Sequence, residues 1–254
     1  TIYKYFMLFS DIEKILALIP YTSPSKGKIF YDHVLKYKPK KCLELGFAHG
    51  TATNYIAAAL DELNSGHITA VDLLKSKNEK PNLEDLLKKT KLENFVSIYR
   101  EKQSYNWFLN KEIEKNTDEN YNCKPVYDLI FIDGPKDWTI DGFAFFLADK
   151  LLKKNGWIIF DDYLWSDYKS INQKVPNYNP EEFDENQIKK PNIKEVFHKL
   201  VMQHPNYSNF IITDDVLAWA QKKDENQARF LSYESKASIK YKIIHTLKKI
   251  IGRN

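Results

Sequence analysis

The chain has 254 residues, 43% hydrophobic and 14% aromatic, with 38 basic and 34 acidic side chains for a formal charge of +4. Such a chain buries one sizeable core, expected as one domain with a tail; Cys42 in an apolar strand pattern and Cys123 in a polar loop exclude a disulfide framework or a zinc site and point to a reducing compartment. No apolar run approaches the roughly 18 residues of a membrane span, the stretch from Ile2 to Phe9 is too short for a signal peptide, and arginine occurs only at 100, 229 and 253, so the expectation is a soluble cytoplasmic protein that does not bind nucleic acid.

In chain order, Ile12, Ile15, Leu16 and Ile19 predict a helix over 11–19 that stops at Pro20, and a second helix covers 25–37 before Pro39. Strand and helix patterns then alternate. Strands are predicted at Lys41–Leu45, His67–Val71, Phe95–Tyr99 and in the two runs ending at Asp133 and Asp161; helices are predicted over 51–63, 82–89, 104–115 and 139–152. Repeated βαβ units mean a parallel, doubly wound sheet. The stretch 163–191 holds Tyr163, Trp165, Tyr168 and Tyr178 among Pro176, Pro180 and Pro191 with no sustained period, which predicts a lid, with disorder as the alternative; Trp138 and Tyr163 are expected as the nearest aromatic walls or, alternatively, as core. A helix over 192–204 precedes two strand-like runs, Asn209–Thr213 and Val216–Gln221, joined at hairpin spacing by Asp214 and Asp215. The domain is therefore expected over 1–222, with linker and tail over 223–254.

Between Lys236 and Asn254, Ile239, Ile243, Ile244, Leu247, Ile250 and Ile251 fall on helical spacing opposite five lysines and an arginine. This predicts a basic amphipathic helix. Its six charges against a total of +4 leave the rest of the chain at −2. Packing on the domain or dimerisation is the first expectation for it, contact with an anionic membrane surface the next.

Chemistry concentrates at strand ends. The run Asp128 to Ile132 stops at Asp133, with Lys136 three residues on, and the run from Gly156 to Phe160 stops at Asp161 and Asp162. In open α/β sheets the carboxyl ends of the strands form the ligand crevice, and clustered carboxylate oxygens there suit Mg²⁺ or Ca²⁺. The plainer alternative is that Asp133 and Asp162 cap the following helices. After the first strand, Glu44-Leu-Gly46-Phe47-Ala48-His49-Gly50-Thr51 holds only one of the three glycines of a dinucleotide fingerprint, which disfavours NAD. Glu44 beside this turn and Asp72 at the end of the second strand instead favour a cationic ligand with ribose hydroxyls. His49 is expected to orient backbone, and His198 to lie on the surface.

These motifs, in this order, resemble the class I S-adenosylmethionine-dependent methyltransferases. The resemblance is to the metal-dependent O-methyltransferases of the catechol and caffeoyl-coenzyme A type and a related bacterial family found with sugar and antibiotic tailoring genes, and it spans about residues 25–222. Glu44-Leu-Gly46 to Gly50 resembles the first cofactor motif, Asp72 the ribose-binding acid, and Gln103-Ser104 the adenine contact. Asp133 and Lys136-Asp137 resemble Asp-x-x-Lys-Asp, and Phe160-Asp161-Asp162 the metal pair, with Asp162 where plant and animal enzymes carry Asn. Many bacterial relatives carry His at the position of Lys136.

The resemblance implies a Rossmann-like seven-stranded sheet, mostly parallel with a C-terminal antiparallel hairpin. It implies S-adenosylmethionine bound by Glu44, Gly46, Phe47, Ala48, Gly50, Thr51, Asp72, Gln103, Ser104 and Asp133, and a divalent cation, Mg²⁺ or Ca²⁺, on Asp133, Asp161 and Asp162. Lys136 would be the catalytic base, and the acceptor a hydroxyl of a sugar, a glycan or a small diol of catechol type. Two alternatives stay open: a non-catalytic S-adenosylmethionine-binding scaffold in a glycan-assembly complex, and a cation-independent N-methyltransferase.

Overall fold

The computed structural model describes residues 6–168, 184–223 and 231–234. Helices α1 (Phe9–Leu16) and α2 (Pro24–Tyr37) lead into β1 (Lys41–Leu45), α3 (Thr51–Glu62), β2 (His67–Leu73), α4 (Leu83–Thr90), β3 (Val96–Glu101), α5 (Asn106–Lys115), β4 (Tyr127–Ile132), α6 (Trp138–Leu151) and β5 (Leu152–Phe160). Then come α7 (Glu185–Lys189), α8 (Asn192–Val196) with a π-helical turn at Phe197–Val201, β6 (Tyr207–Thr213), β7 (Leu217–Lys222) and β8 (Leu231–Glu234). The sheet order is β3-β2-β1-β4-β5-β7-β6-β8.

The apolar runs are covered on both faces, as buried parallel strands require. Phe131 and Ile159 point into one core with Phe30 and Tyr55. Ile132 and Phe160 point into the other with Phe145 and Phe197. The doubly wound architecture with a C-terminal antiparallel pair is thus as expected: β7 runs antiparallel to both β5 and β6. Asp214 (φ 50) and Asp215 (φ 56) supply the left-handed pair that a tight hairpin turn needs.

Register places the functional edge. Leu45 pairs with Ile132, and Ile132 with Phe160, so β1, β4 and β5 end level and deliver Gly46, Asp133 and Asp161 side by side. The chain winds from β1 outward to β3 and returns to β4 on the other flank of β1. That reversal is the position where such sheets open a crevice.

Three expectations are corrected or bounded. Among the described residues the sheet has eight strands, because Leu231–Glu234, within the stretch read as linker, pairs parallel with β6. Leu231-Ser-Tyr-Glu234 alternates apolar and polar, but over four residues only, the shortest run that counts as a strand signal, and three of the four are exposed. The helix expected over 192–204 is shorter and turns π-helical at Phe197. The basic segment 236–254, and Pro176, Tyr178 and Pro180 of the expected lid, lie outside the described residues. Among the described residues no helix is long and apolar enough to cross a membrane.

One half-buried group ties stability to pH. His33 on α2 packs against the rings of Tyr37, Trp219 and Trp157, with centroids 4.4, 4.8 and 5.5 Å away. Burial, helped by Lys36, pushes its imidazole down from 6.5 to about 3. It stays neutral in the fold and titrates near its ordinary value when unfolded, so its contribution is intact above pH 6.5 and is lost as pH falls toward 3. Between pH 6.5 and 5 this amounts to on the order of 2 kcal/mol. Thermal melts at these two pH values are expected to separate less for His33→Phe than for the wild type.

Candidate active site

The turn after β1 is shaped by hydrogen bonds between strand ends. Gly46 N–H donates to the Val71 carbonyl (2.7 Å), Asp133 N–H to the Leu45 carbonyl (2.8 Å) and Asp161 N–H to the Ile132 carbonyl (3.0 Å). Gly46 sits at φ +92, and a Cβ there would stand 2.1 Å from the Asp133 carbonyl oxygen. Asp72 organises the loop that follows: its Oδ2 accepts from the N–H groups of Phe47 (2.9 Å) and Ala48 (2.6 Å), its Oδ1 from that of Leu73 (2.6 Å). Oδ1 therefore keeps a lone pair for a ligand hydroxyl. His49 Nδ1 lies 2.7 Å from the Pro81 carbonyl oxygen, in the backbone-orienting role expected of it.

A cavity of about 370 Å³ opens over this edge. Glu44, Gly46, Phe47, Ala48, Thr51, Asp72, Gln103, Ser104, Asp133, Lys136, Asp161 and Asp162 all line it. Gly50 does not; it caps α3 from behind, where a Cβ would strike Leu83. Tyr21, Thr22, Ser76, Tyr105 and Ile140 also line the cavity and were not anticipated, since they come from loops and helix flanks without a periodic signal. Arg100 fastens one wall: it donates to Ser76 Oγ (2.9 Å), forks onto Glu84 at 2.7 Å twice, and lies 5.3 Å from the Phe47 ring centroid. Glu44 is buried, accepts the Thr53 hydroxyl on Oε2 and leaves Oε1 without a partner. Burial pushes its carboxyl well above the usual range.

The two expected aromatic walls are elsewhere. Tyr163 is buried in the core under β5 and its hydroxyl meets His198 Nε2 at 2.7 Å, so His198 is half-buried and engaged rather than a surface residue. Trp138 starts α6 outside the cavity, with the Lys199 ammonium 5.9 Å from its ring.

Asp133, Asp161 and Asp162 each bring a carboxylate oxygen within 4.8 Å of the others. Neither Asp133 nor Asp162 caps a helix; α6 is capped by Asp137, which accepts from the N–H groups of Thr139 and Ile140. Lys136 turns back on its own loop at φ +63, and its Nζ donates to Asp133 Oδ1 (2.5 Å) and the Gly134 carbonyl (2.8 Å) and stands 3.4 Å from Asp162 Oδ2. Asp162 is also left-handed, at φ +54. Two non-glycine residues in that region side by side with a carboxylate cluster mark a place where local strain is retained. Behind them the buried Tyr105 hydroxyl donates to Asp141, which also accepts Asp137 N–H at 2.7 Å and so braces the turn.

A second lysine was not foreseen. Lys26, in the first turn of α2, donates to Asp161 Oδ2 at 2.5 Å. The only trace of it in the sequence is an ammonium placed in a first turn, where the helix dipole disfavours it. Around this cluster burial acts to raise Asp133, but the Lys136 and Lys26 ammoniums outweigh it and hold the carboxyl below its usual range. Burial and then the charge of Asp133 raise Asp161. Burial acts to lower Lys136, yet Asp133, Asp161 and Asp162 together raise it, so against free carboxylates it is a firm cation. The donor set fits a hard dication: three carboxylates converge and Asp161 Oδ1 is buried with no hydrogen-bond partner among the described residues.

Residues 43–163 match a family model described as a methyltransferase domain. No match is found among curated proteins. Among solved structures, the chain is similar to the O-methyltransferase from Bacillus cereus in complex with SAH (17% identity, TM-score 0.58, covering 88% of this chain and 94% of that one). It is also similar to the O-methyltransferase TomG from Streptomyces achromogenes, involved in tomaymycin synthesis and solved with SAM (13%, TM-score 0.55, 85% and 88%). A third is an SAH-bound methyltransferase of Podospora anserina (16%, TM-score 0.58, 85% and 88%). Over residues 43–163 the chain thus matches a methyltransferase domain, and its fold is that of these O-methyltransferases, as the order of its motifs implied.

Proposed function

We propose that this methyltransferase domain moves the methyl group of S-adenosylmethionine to a hydroxyl oxygen of a sugar, a glycan or a small diol of catechol type, with Mg²⁺ or Ca²⁺ held by Asp133, Asp161 and Asp162. What supports the reading is one juxtaposition: three carboxylates and the Lys136 ammonium meet at the edge of the cavity that the glycine turn lines. The Bacillus and Streptomyces relatives hold SAH and SAM, which agrees with a donor in the same crevice.

The cavity residues suit that donor. Gly46 and Ala48 carry little or no side chain and let a ligand approach the backbone near the start of α3. Asp72 Oδ1 keeps an acceptor site for a ribose hydroxyl, while the aspartates give a sulfonium a negative wall. Methyl transfer is an in-line displacement, so alignment and a nucleophilic oxygen are what the protein must provide. A cation on the three aspartates would polarise the acceptor oxygen and offset the negative charge that keeps Lys136 protonated. Were that charge engaged by the cation, burial would be left to lower Lys136, whose Nζ would then supply the base for the hydroxyl proton. The reading places the chain in the cytoplasm with a small-molecule or glycan acceptor and no nucleic acid, and assigns 236–254 to dimer contact or to the inner membrane surface.

The test is methyl transfer from labelled S-adenosylmethionine to a panel of diols, before and after chelation. Chelation is expected to cut turnover by on the order of 100-fold, with recovery on adding Mg²⁺ or Ca²⁺ and with S-adenosylhomocysteine binding retained. Turnover on a diol that survives chelation would remove the cation from the reaction, and transfer to amines with none to the diols would support the cation-independent N-methyltransferase. Donor binding without turnover on any acceptor would support the scaffold.

A further inference from the structure

Lys26 and Asp161 are 135 residues apart in sequence, and only the packing of α2 beside the sheet brings them together. The ammonium is nearly enclosed, with the Lys26 side chain 13% exposed and that of Asp161 2%. No acidic residue in the first turn of α2 offsets the lysine against the helix dipole. A cation buried in an unfavourable turn needs a compensating partner, and its partner is one oxygen of one aspartate. The other oxygen of that aspartate, Oδ1, is buried and has no hydrogen-bond partner among the described residues. Lys26 thus divides the carboxylate, engaging one side and leaving the other to the cluster. Lys136 acts similarly across the cluster, on Asp133 Oδ1 and near Asp162 Oδ2. With all three carboxylates ionised, as a bound dication would hold them, two ammoniums leave a single unit of negative charge.

We propose that Lys26 is a positioning residue that limits cation affinity: it holds Asp161 Oδ2, restricts that aspartate to one donor oxygen, and keeps the cluster close to neutral. A dication is then held loosely, with coordination positions open to acceptor oxygens. This rests on the cation reading given above and adds to it which residue sets the strength of binding. Removing the ammonium uncovers a unit of negative charge beside a doubly charged ion and frees a second oxygen, which even with water-like screening is worth roughly tenfold in affinity.

The test is Mn²⁺ binding to the full chain, followed by the electron paramagnetic resonance signal of the free ion, for wild type, Lys26→Met, Lys26→Arg and Asp161→Asn. Lys26→Met is expected to bind Mn²⁺ roughly tenfold tighter than wild type, Lys26→Arg to match wild type, and Asp161→Asn to bind more weakly. If wild type binds and Lys26→Met binds equally or more weakly, the affinity-limiting role is overturned while the cation reading stands. A purely structural lysine would lower the melting temperature and leave Mn²⁺ affinity unchanged, which likewise overturns the role. If neither wild type nor Lys26→Met binds Mn²⁺ at millimolar concentration, the cation reading itself fails and takes this role with it. Lys26→Gln provides the same readout should the methionine variant not fold.

Discussion

Lys136→Met is expected to lower kcat by roughly 10³-fold while leaving S-adenosylhomocysteine affinity unchanged. Methionine keeps the length of the side chain but has no proton to exchange, so the loss falls on activation of the acceptor and not on the donor. Lys136→Arg sharpens the point. A guanidinium retains the charge facing Asp133 and Asp162, yet it does not deprotonate at accessible pH, so this variant is expected to be as slow as the methionine one. In both variants the rate should rise tenfold per pH unit toward the pKa of the acceptor hydroxyl, because solvent must then supply the alkoxide or phenolate. Calorimetric titration of S-adenosylhomocysteine and a pH–rate profile check the prediction. Full turnover in the arginine variant would remove Lys136 from the proton-transfer role.

Gly46→Ala is expected to be the most damaging small substitution. Its Cβ would be 2.1 Å from the Asp133 carbonyl oxygen and 2.8 Å from the carbonyl carbon, backbone atoms that no rotamer change can move aside. The position also sits at φ +92, where an L side chain is strained in addition to the clash. Strain and overpacking together cost about 3 kcal/mol, a fall of roughly 6–10 °C in melting temperature for a domain of this size. Relief can come only by parting β1 from the turn after β4, which shifts Asp133 away from Asp161. Donor affinity and stability should therefore fall together, as a thermal melt with and without S-adenosylhomocysteine would show. A variant with wild-type melting would mean that the two strand ends are not packed as described.

Much of the site was readable because burial on both faces leaves an unusual trace. A strand such as β4 or β5 must be apolar throughout its buried length, so the acid that ends it stands out without any knowledge of what lies beside it. Asp133 and Asp161 were found that way, and level registers then put them in contact. For Trp138 and Tyr163 the sequence leaves wall and core both open for the converse reason: an aromatic residue near a site in sequence has no pattern to say which side of the backbone it takes. Tyr163 went to the core beneath β5 and drew His198 in with it. The cap alternative for Asp133 was equally undecidable, since Asp137 is as good a cap and only the turn geometry selects it.

The amino-acid sequence by itself determined the alternation of strands and helices, the doubly wound sheet, the hairpin at Asp214 and Asp215, and the acids at the strand ends. These depend on local periodicity and on turn chemistry, which act over a few residues. Only the tertiary structure decided that β8 extends the sheet, that Arg100 braces the cavity wall, and that Lys26 crosses from α2 to share Asp161 with the cluster. Contacts of that kind depend on how helices seat against the sheet, a property of the whole core that no short window of residues encodes.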